Sequence, residues 1–111
     1  MNIEEKVNIS ILLDYYGGLL PESQMNIMKM RFNEDLTLSE IAQSEGISRQ
    51  GVRDSIVRGV KLLYEYDGKL NLKDKISKIR TKLLKIRDAY PTEHIDILSE
   101  LDRVIKGLEE N

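Results

Sequence analysis

The sequence of 111 residues contains no cysteine and no tryptophan, and it has only one histidine and two prolines. Without cysteine the chain has no disulfide framework, no thiolate zinc site and no cysteine nucleophile. A reducing cytoplasm suits such a chain, and we expect a cytoplasmic location. The acidic start predicts no signal peptide. No stretch approaches the roughly 18 consecutive apolar residues of a membrane span, so none is predicted.

Neither sign of charge dominates, because 17 Lys and Arg stand against 19 Asp and Glu, for a net charge of -2. This balance excludes a uniformly basic nucleic-acid coat, so any anion-binding surface must be local. The charge is nevertheless uneven: residues 1–68 have net charge -4, residues 69–87 have +7 with Asp74 as their one acid, and residues 88–111 have -5. A basic helix followed by an acidic one predicts an antiparallel pair with matched charges, although a basic block can also bind phosphate.

Turn-forming residues are few, and apolar residues recur at helical spacing, so we predict an all-α protein without strands. Gly17-Gly18 is expected to end the first helix in a left-handed conformation, and Asp67-Gly68 to end the fourth. The predicted core stripe of the first helix consists of Ile3, Val7 and Ile11, widened by Leu12, Leu13 and Tyr16. The predicted helices are 3–16, 21–32, 38–45, 49–66, 72–89 and 93–108.

The most specific signal lies in residues 38–56, where two helices are joined by a three-residue turn. Thr37 and Glu40 fit a capping box at the start of the first of them. Ala42 is small enough for the helices to cross closely, and Gly46 suits a turn position with positive φ. The residues expected to point inward are Ile41, Ile47, Val52 and Ile56. This spacing predicts a helix-turn-helix; an ordinary helical hairpin with a glycine turn is the alternative.

The second helix of this motif carries the predicted DNA-binding residues. Its N-cap, Ser48, leaves the first backbone amides open to a phosphate. Arginine can contact guanine through two hydrogen bonds and glutamine can contact adenine in the same way, whereas flanking arginines suit phosphates. Asp54 lies among them: its carboxylate can accept a hydrogen bond from a cytosine amino group, but it would also repel the phosphate backbone. Gly51 allows either a close approach of DNA or a close helix crossing. The predicted site consists of Ser48, Arg49, Gln50, Arg53 and Arg58.

Part of the chain, about residues 20–65, resembles region 4 of bacterial sigma-70 factors. Three segments carry the resemblance: Leu20-Pro21-Glu22, Met30-Arg31-Phe32 and the pattern from Ile41 to Ile56. That module reads an upstream promoter element with its second helix in the major groove. The chain departs from sigma factors because nothing in it resembles the module that binds the core polymerase and melts DNA. The resemblance therefore implies double-stranded DNA as a partner, without sigma activity.

The whole chain is also similar to the YlxM family of small bacterial proteins. The similarity lies in residues 46–54 and in the basic-then-acidic tail. It implies a DNA-binding regulator and, through the gene neighbourhood typical of the family, a link to the signal recognition particle. We therefore predict a sigma-region-4-like helix-turn-helix head, residues 1–68, followed by a C-terminal two-helix hairpin, residues 69–111.

No residue pattern points to catalysis, a cofactor or a metal. The one histidine, His94, stands beside Glu93 and Asp96, and we interpret it as a surface residue rather than a ligand. We predict a protein that is not an enzyme and holds no cofactor. The alternative to DNA binding is an interaction module for a protein or a ribonucleoprotein, which the net charge of -2 favours. The dependence of binding on salt concentration distinguishes the two functions, because phosphate contacts weaken steeply as ionic strength rises.

The last two predicted helices carry apolar seams that are wider than one hairpin can cover. The first seam consists of Leu72, Ile76, Ile79, Leu83 and Ile86, with Tyr90 next. The second consists of Ile97, Leu101, Val104 and Leu108, widened by Leu98 and Ile105. Apolar surface of this kind predicts a homodimer, which would bring two recognition helices together. The alternative is a monomer in which the hairpin folds back on the head.

Overall fold

The structure, a computed structural model, describes residues 1–89 and 95–109. In these ranges the chain forms six α-helices and no strand, which confirms the predicted all-α class. The helices are α1 (Ile3–Tyr16), α2 (Glu22–Phe32), α3 (Leu38–Glu45), α4 (Arg49–Leu70), α5 (Leu72–Ala89) and α6 (Ile95–Glu109). They divide into two compact units, a head unit (Met1–Leu70) and a hairpin unit (Asn71–Asn111). The predicted residues Tyr90 and His94 lie outside the described ranges.

Side-chain caps set the beginnings of two helices in the head unit. At α1 the Asn2 side chain accepts a hydrogen bond of 2.8 Å from the Glu5 amide. At α3 the predicted capping box is present: the Glu40 amide donates to the Thr37 hydroxyl and the Thr37 amide donates to the Glu40 carboxylate, each at 3.1 Å. The bond from the Thr37 amide holds the pKa of Glu40 below its ordinary value, because it stabilises the carboxylate. Local hydrogen bonding therefore fixes where these helices start.

The core of the head unit is built around α4, which packs against α1, α2 and α3. One buried cluster joins α2, α3 and α4, and it consists of Ile27, Ile41, Ala42 and Val52. Its half-buried neighbours are Met30, Leu36, Leu38 and Ile56. The core residues of α1 and the following turn are Ile9, Leu12, Leu13, Tyr16 and Leu20. Because α4 packs against every other helix of the head unit, one complete side of it is buried, and this fixes its rotation about its own axis.

The predicted core stripe of α1 is wrong in part. Leu12, Leu13 and Tyr16 are buried as predicted. Ile3 is 81% exposed and Val7 is 53% exposed, however, and Ile9, which the prediction did not include, is buried. Apolar side chains occur on more than one side of this helix, so their spacing alone does not select the side that meets the core. The packing of α1 against α2 and α4 makes that selection.

Two expected helix ends also differ in the structure. Gly17 has φ -55°, so it continues the right-handed path into a short 3-10 turn, Gly17–Leu19, instead of forming a left-handed cap. The expected end of α4 at Asp67-Gly68 is wrong as well, because α4 continues to Leu70. The Tyr16 hydroxyl donates a 2.8 Å hydrogen bond to Asp67, which ties this last part of α4 to α1. The chain leaves α4 at Asn71, which has a left-handed φ of 49°.

In the hairpin unit, α5 and α6 pack as an antiparallel pair. Two salt bridges join them, Arg80 to Glu109 at 3.2 Å and Arg87 to Asp102 at 2.8 Å. This confirms that the basic helix is matched by the acidic helix that follows it. Ile105 is buried in the seam between them. Within residues 1–89 and 95–109, no helix combines the length and apolar character needed to cross a membrane.

Two helices of the head unit approach each other closely where α4 crosses α2. A Cβ atom added to Gly59 would lie 2.7 Å from the Met28 sulfur. Met28 is completely buried, so moving its side chain would disturb the core residues around it. Glycine at position 59 therefore allows the distance between the two helices that the core requires.

We expect Gly59→Ala to destabilise the protein by about 1–3 kcal/mol through overpacking against Met28. Gly68→Ala is the matched control in the same helix, because a Cβ atom there would meet nothing within 4 Å. The control should be neutral or stabilising by up to about 1 kcal/mol, since alanine favours the helix over glycine. Urea unfolding measures both variants, and equal stability of the two would contradict the close crossing.

Candidate functional site

The helix-turn-helix consists of α3, a short turn and α4. Gly46 ends α3 with φ 68°, the left-handed conformation that the sequence predicts. The Ser48 hydroxyl then accepts a 2.9 Å hydrogen bond from the Gly51 amide, so Ser48 is the N-cap of α4. Ile41 and Val52, from the two helices, are fully buried in one cluster. The turn and the cluster together determine which side of α4 faces outward.

One residue of the motif departs from its expected place. Ile47 is 43% exposed, so the prediction that it points inward is wrong. Its Cδ1 atom lies 3.7 Å from the position that a Cβ atom of Gly51 would take, which places it over the first turn of α4. An apolar residue directly before an N-cap often packs in this way and fixes the angle at which the chain enters a helix.

Gly51 is required by the same turn. A Cβ atom at this position would lie 3.2 Å from the Ser48 hydroxyl oxygen, tighter than an ordinary contact. The predicted alternative of a close helix crossing is therefore wrong for Gly51, and the close crossing is found at Gly59. Glycine at position 51 leaves room for the Ser48 side chain and keeps the first turn of α4 uncovered.

All five residues of the predicted site are exposed, and four of them belong to α4. The opposite side of α4 is buried through Val52, Ser55, Gly59 and Leu63. We call the exposed side of the first three turns the outer face. It consists of Arg49, Gln50, Arg53, Asp54, Val57, Arg58 and Lys61. The structure therefore brings four of the predicted residues together on α4, with Ser48 directly before its first turn.

The outer face is a local cationic surface on an acidic head. Its four basic side chains form no ion pair with any residue in the described ranges. Asp54 is its one acid, whereas residues 1–68 together have net charge -4. Unpaired arginines in water keep all their donors available, so this surface can bind an anion without first breaking a salt bridge.

Gln50 and Asp54 interact across one turn of the outer face. The Gln50 side-chain amide donates a 2.9 Å hydrogen bond to the Asp54 carboxylate. This bond orients the glutamine and occupies one of its two N–H donors, while its carbonyl oxygen stays available as an acceptor. The negative charge of Asp54 disfavours phosphate at this point of the helix. The centre of the outer face is therefore suited to hydrogen-bonding groups, and its edges are suited to phosphates.

Val57 is a residue of this surface that the sequence interpretation missed. It is 69% exposed, and it lies one turn after Arg53 and one turn before Lys61. At about 100° per residue it falls between Arg53 and Gln50 around the helix, so helical spacing alone could have found it. An exposed valine among charged residues offers the apolar contact that recognises a thymine methyl group.

The rest of the described chain offers no competing chemistry. Among residues 1–89 and 95–109, no group of three or more acidic or histidine side chains could hold a metal ion. A shallow groove of about 420 Å³ lies beside α1 and is lined by Glu4, Glu5, Val7, Asn8, Ile11 and Tyr64. The Asn8 amide donates to the Tyr64 hydroxyl there at 2.9 Å. This groove is open and holds no nucleophile beside a base.

We expect Ser48→Ala to destabilise the protein by about 0.5–2 kcal/mol, because the first turn of α4 loses its cap. Ser44→Ala is the matched control, since Ser44 is an exposed serine inside α3. The control should be neutral or slightly stabilising, because alanine is the better helix former. Thermal or urea unfolding gives both values, and a neutral Ser48→Ala variant would show that the cap does not stabilise α4.

Comparison with known proteins agrees with this geometry. Residues 3–102 match the family model UPF0122, described as "Putative helix-turn-helix protein, YlxM / p13 like". A UPF0122 protein of Fusobacterium nucleatum is 38% identical over 100 residues, covering 90% of this chain and 97% of the relative. One from Clostridium perfringens is 50% identical over 76 residues, 68% of each chain. One from Clostridium kluyveri is 38% identical over 107 residues, 93% of this chain and 96% of the relative. The chain therefore belongs to the UPF0122 family of YlxM/p13-like helix-turn-helix proteins.

Proposed function

We propose that the outer face of α4 binds double-stranded DNA in the major groove and that the protein is a non-catalytic, cytoplasmic regulator. The observation that carries the proposal is the set of exposed, unpaired arginines on the second helix of the motif. An α-helix fits the major groove, where each base pair presents its own pattern of donors and acceptors. Membership of a helix-turn-helix family supports the same conclusion.

The proposed contacts follow from position along α4. Arg53, one turn into α4, contacts guanine, and Gln50 contacts adenine while Asp54 holds its amide in place. Ser48 caps the start of α4, where the first backbone amides contact a phosphate with Arg49 beside them. Arg58, at the flank, contacts a phosphate and positions the helix without reading sequence. Val57 adds an apolar contact to a thymine methyl group.

We extend the proposal to a homodimer, because a two-fold pair of recognition helices reads two half-sites about 34 Å apart. The apolar side chains that the hairpin unit leaves exposed support this extension. A regulatory role connected with the signal recognition particle rests on the resemblance to the YlxM family alone.

The second candidate function is an interaction module for a protein or a ribonucleoprotein. The net charge of -4 on residues 1–68 and the central position of Asp54 favour it, since both oppose a phosphate backbone. The two functions differ in their response to salt. Binding of DNA through several phosphates falls steeply as ionic strength rises, whereas an apolar protein interface responds weakly.

We expect an Arg49/Arg53/Arg58 triple alanine variant to lose DNA binding in a gel-shift titration with a duplex selected from a random library. Arg53→Ala alone should cost about 1–3 kcal/mol and relax the preference at one base pair. Arg58→Ala alone should weaken binding to all duplexes similarly and lower the salt slope by about one.

The control is a Lys29/Lys69/Lys73 triple alanine variant, which removes the same charge from exposed positions outside the outer face. It should bind the selected duplex with close to wild-type affinity. Equal binding by the wild type and the triple arginine variant would refute the proposed DNA contact. A salt-independent complex with a protein or ribonucleoprotein would favour the second candidate.

A further inference from the structure

The hairpin unit leaves a strip of apolar side chains uncovered along both of its helices. The exposed fraction is 49% for Ile79, 43% for Ile86, 51% for Ile97 and 50% for Val104. In each helix the two residues are seven positions apart, so they lie on the same side two turns from each other. We call these four residues the apolar strip.

The apolar strip and the salt bridges lie along opposite edges of the α5–α6 seam. Viewed along the axis of α5, at about 100° per residue, the arginines of the two salt bridges lie on one side of Leu83. The isoleucines of the strip lie on its other side. Around α6, the bridging acids and the strip residues lie on opposite sides of the buried Ile105 in the same way. One edge is therefore closed by charge pairs, and the other presents apolar surface.

The charges beside the strip differ between the two helices. The outer side of α5 carries a row of exposed lysines that form no ion pair within the described ranges, namely Lys75, Lys78, Lys82 and Lys85. The outer side of α6 carries Asp96 and Glu100, and Glu100 pairs with Arg103 of the same helix at 3.1 Å. Over their full lengths α5 holds 7 basic and 2 acidic residues, whereas α6 holds 4 acidic and 2 basic residues. The strip is thus bordered by positive charge on one helix and by net negative charge on the other.

We infer that two copies of the chain meet through the apolar strip, with α5 of each copy facing α6 of the other. A two-fold axis parallel to the helices produces this arrangement, and it makes all neighbouring helices of the resulting four-helix bundle antiparallel. The other two-fold arrangement would place α5 against α5, with net charge +5 facing +5, and is disfavoured. The inference rests on the proposed homodimer and identifies the surface that forms it.

Sedimentation equilibrium of the full chain tests the surface. We expect the wild type to have the mass of two chains at micromolar concentration, and I86S/V104S to raise the dissociation constant at least about tenfold. The matched control is I3S/V7S, which removes two exposed aliphatic side chains from the head unit and should leave the mass unchanged. A monomeric wild type, or an I86S/V104S variant whose dissociation constant equals that of the wild type, overturns the inference.

Charge reversal tests which helices face each other. K75E/K78E/K82E/K85E makes the outer side of α5 acidic, and D96K/E100K makes that of α6 basic, while both salt bridges of the seam are kept. Each variant alone should be monomeric, because α5 and α6 of opposite copies then carry like charges, and a single chain that carries both sets of substitutions should be dimeric again. A K75E/K78E/K82E/K85E variant that stays dimeric overturns the arrangement, because facing α5 helices would carry like charges both before and after the change.

The same samples separate this inference from the proposed DNA contact. The Arg49/Arg53/Arg58 triple alanine variant keeps the apolar strip and should remain dimeric. I86S/V104S keeps the outer face of α4 and should still bind a duplex, with lower affinity for a two-half-site sequence. A dimeric protein that binds no DNA would support the inferred dimer surface and refute only the proposed DNA contact.

Discussion

The burial of one complete side of α4 is the constraint on which the rest of the head unit depends. Val52, Ser55, Gly59 and Leu63 form that side, and they pack against α1, α2 and α3. A helix held along its length by three neighbours cannot rotate about its own axis without breaking the core. Its remaining side must therefore face solvent. The outer face is a consequence of core packing, and its arginines are presented on a rigid support.

Arginine serves two different purposes in this chain. Arg80 and Arg87 pair with acids of α6 and stabilise the hairpin, so their charge is locally matched. The arginines of the outer face have no such partners within the described ranges, although the head around them is acidic. Overall composition conceals this difference, because the net charge of the chain is near zero. The location of the unpaired charge, and not its amount, supports a nucleic-acid partner.

Local chemistry made much of the fold predictable from sequence. The capping box of Thr37 and Glu40 and the left-handed turn at Gly46 depend only on neighbours within a few residues, and both are present as predicted. Tertiary contacts decided the rest. The side of α1 that is buried and the continuation of α4 beyond Asp67 depend on residues distant in the sequence. Val57 is missed for a different reason: an apolar residue in a helix suggests core, although its spacing places it away from the buried side of α4.

The central claim is that the outer face of α4 is the surface that meets DNA. Backbone amide chemical shifts of the isotope-labelled full chain, followed by NMR during titration with a selected duplex, test it most directly. We expect the largest shifts to lie between Ser48 and Lys61. Shifts that are absent at saturating duplex, or that are largest at the α1 groove or in α6, would contradict it.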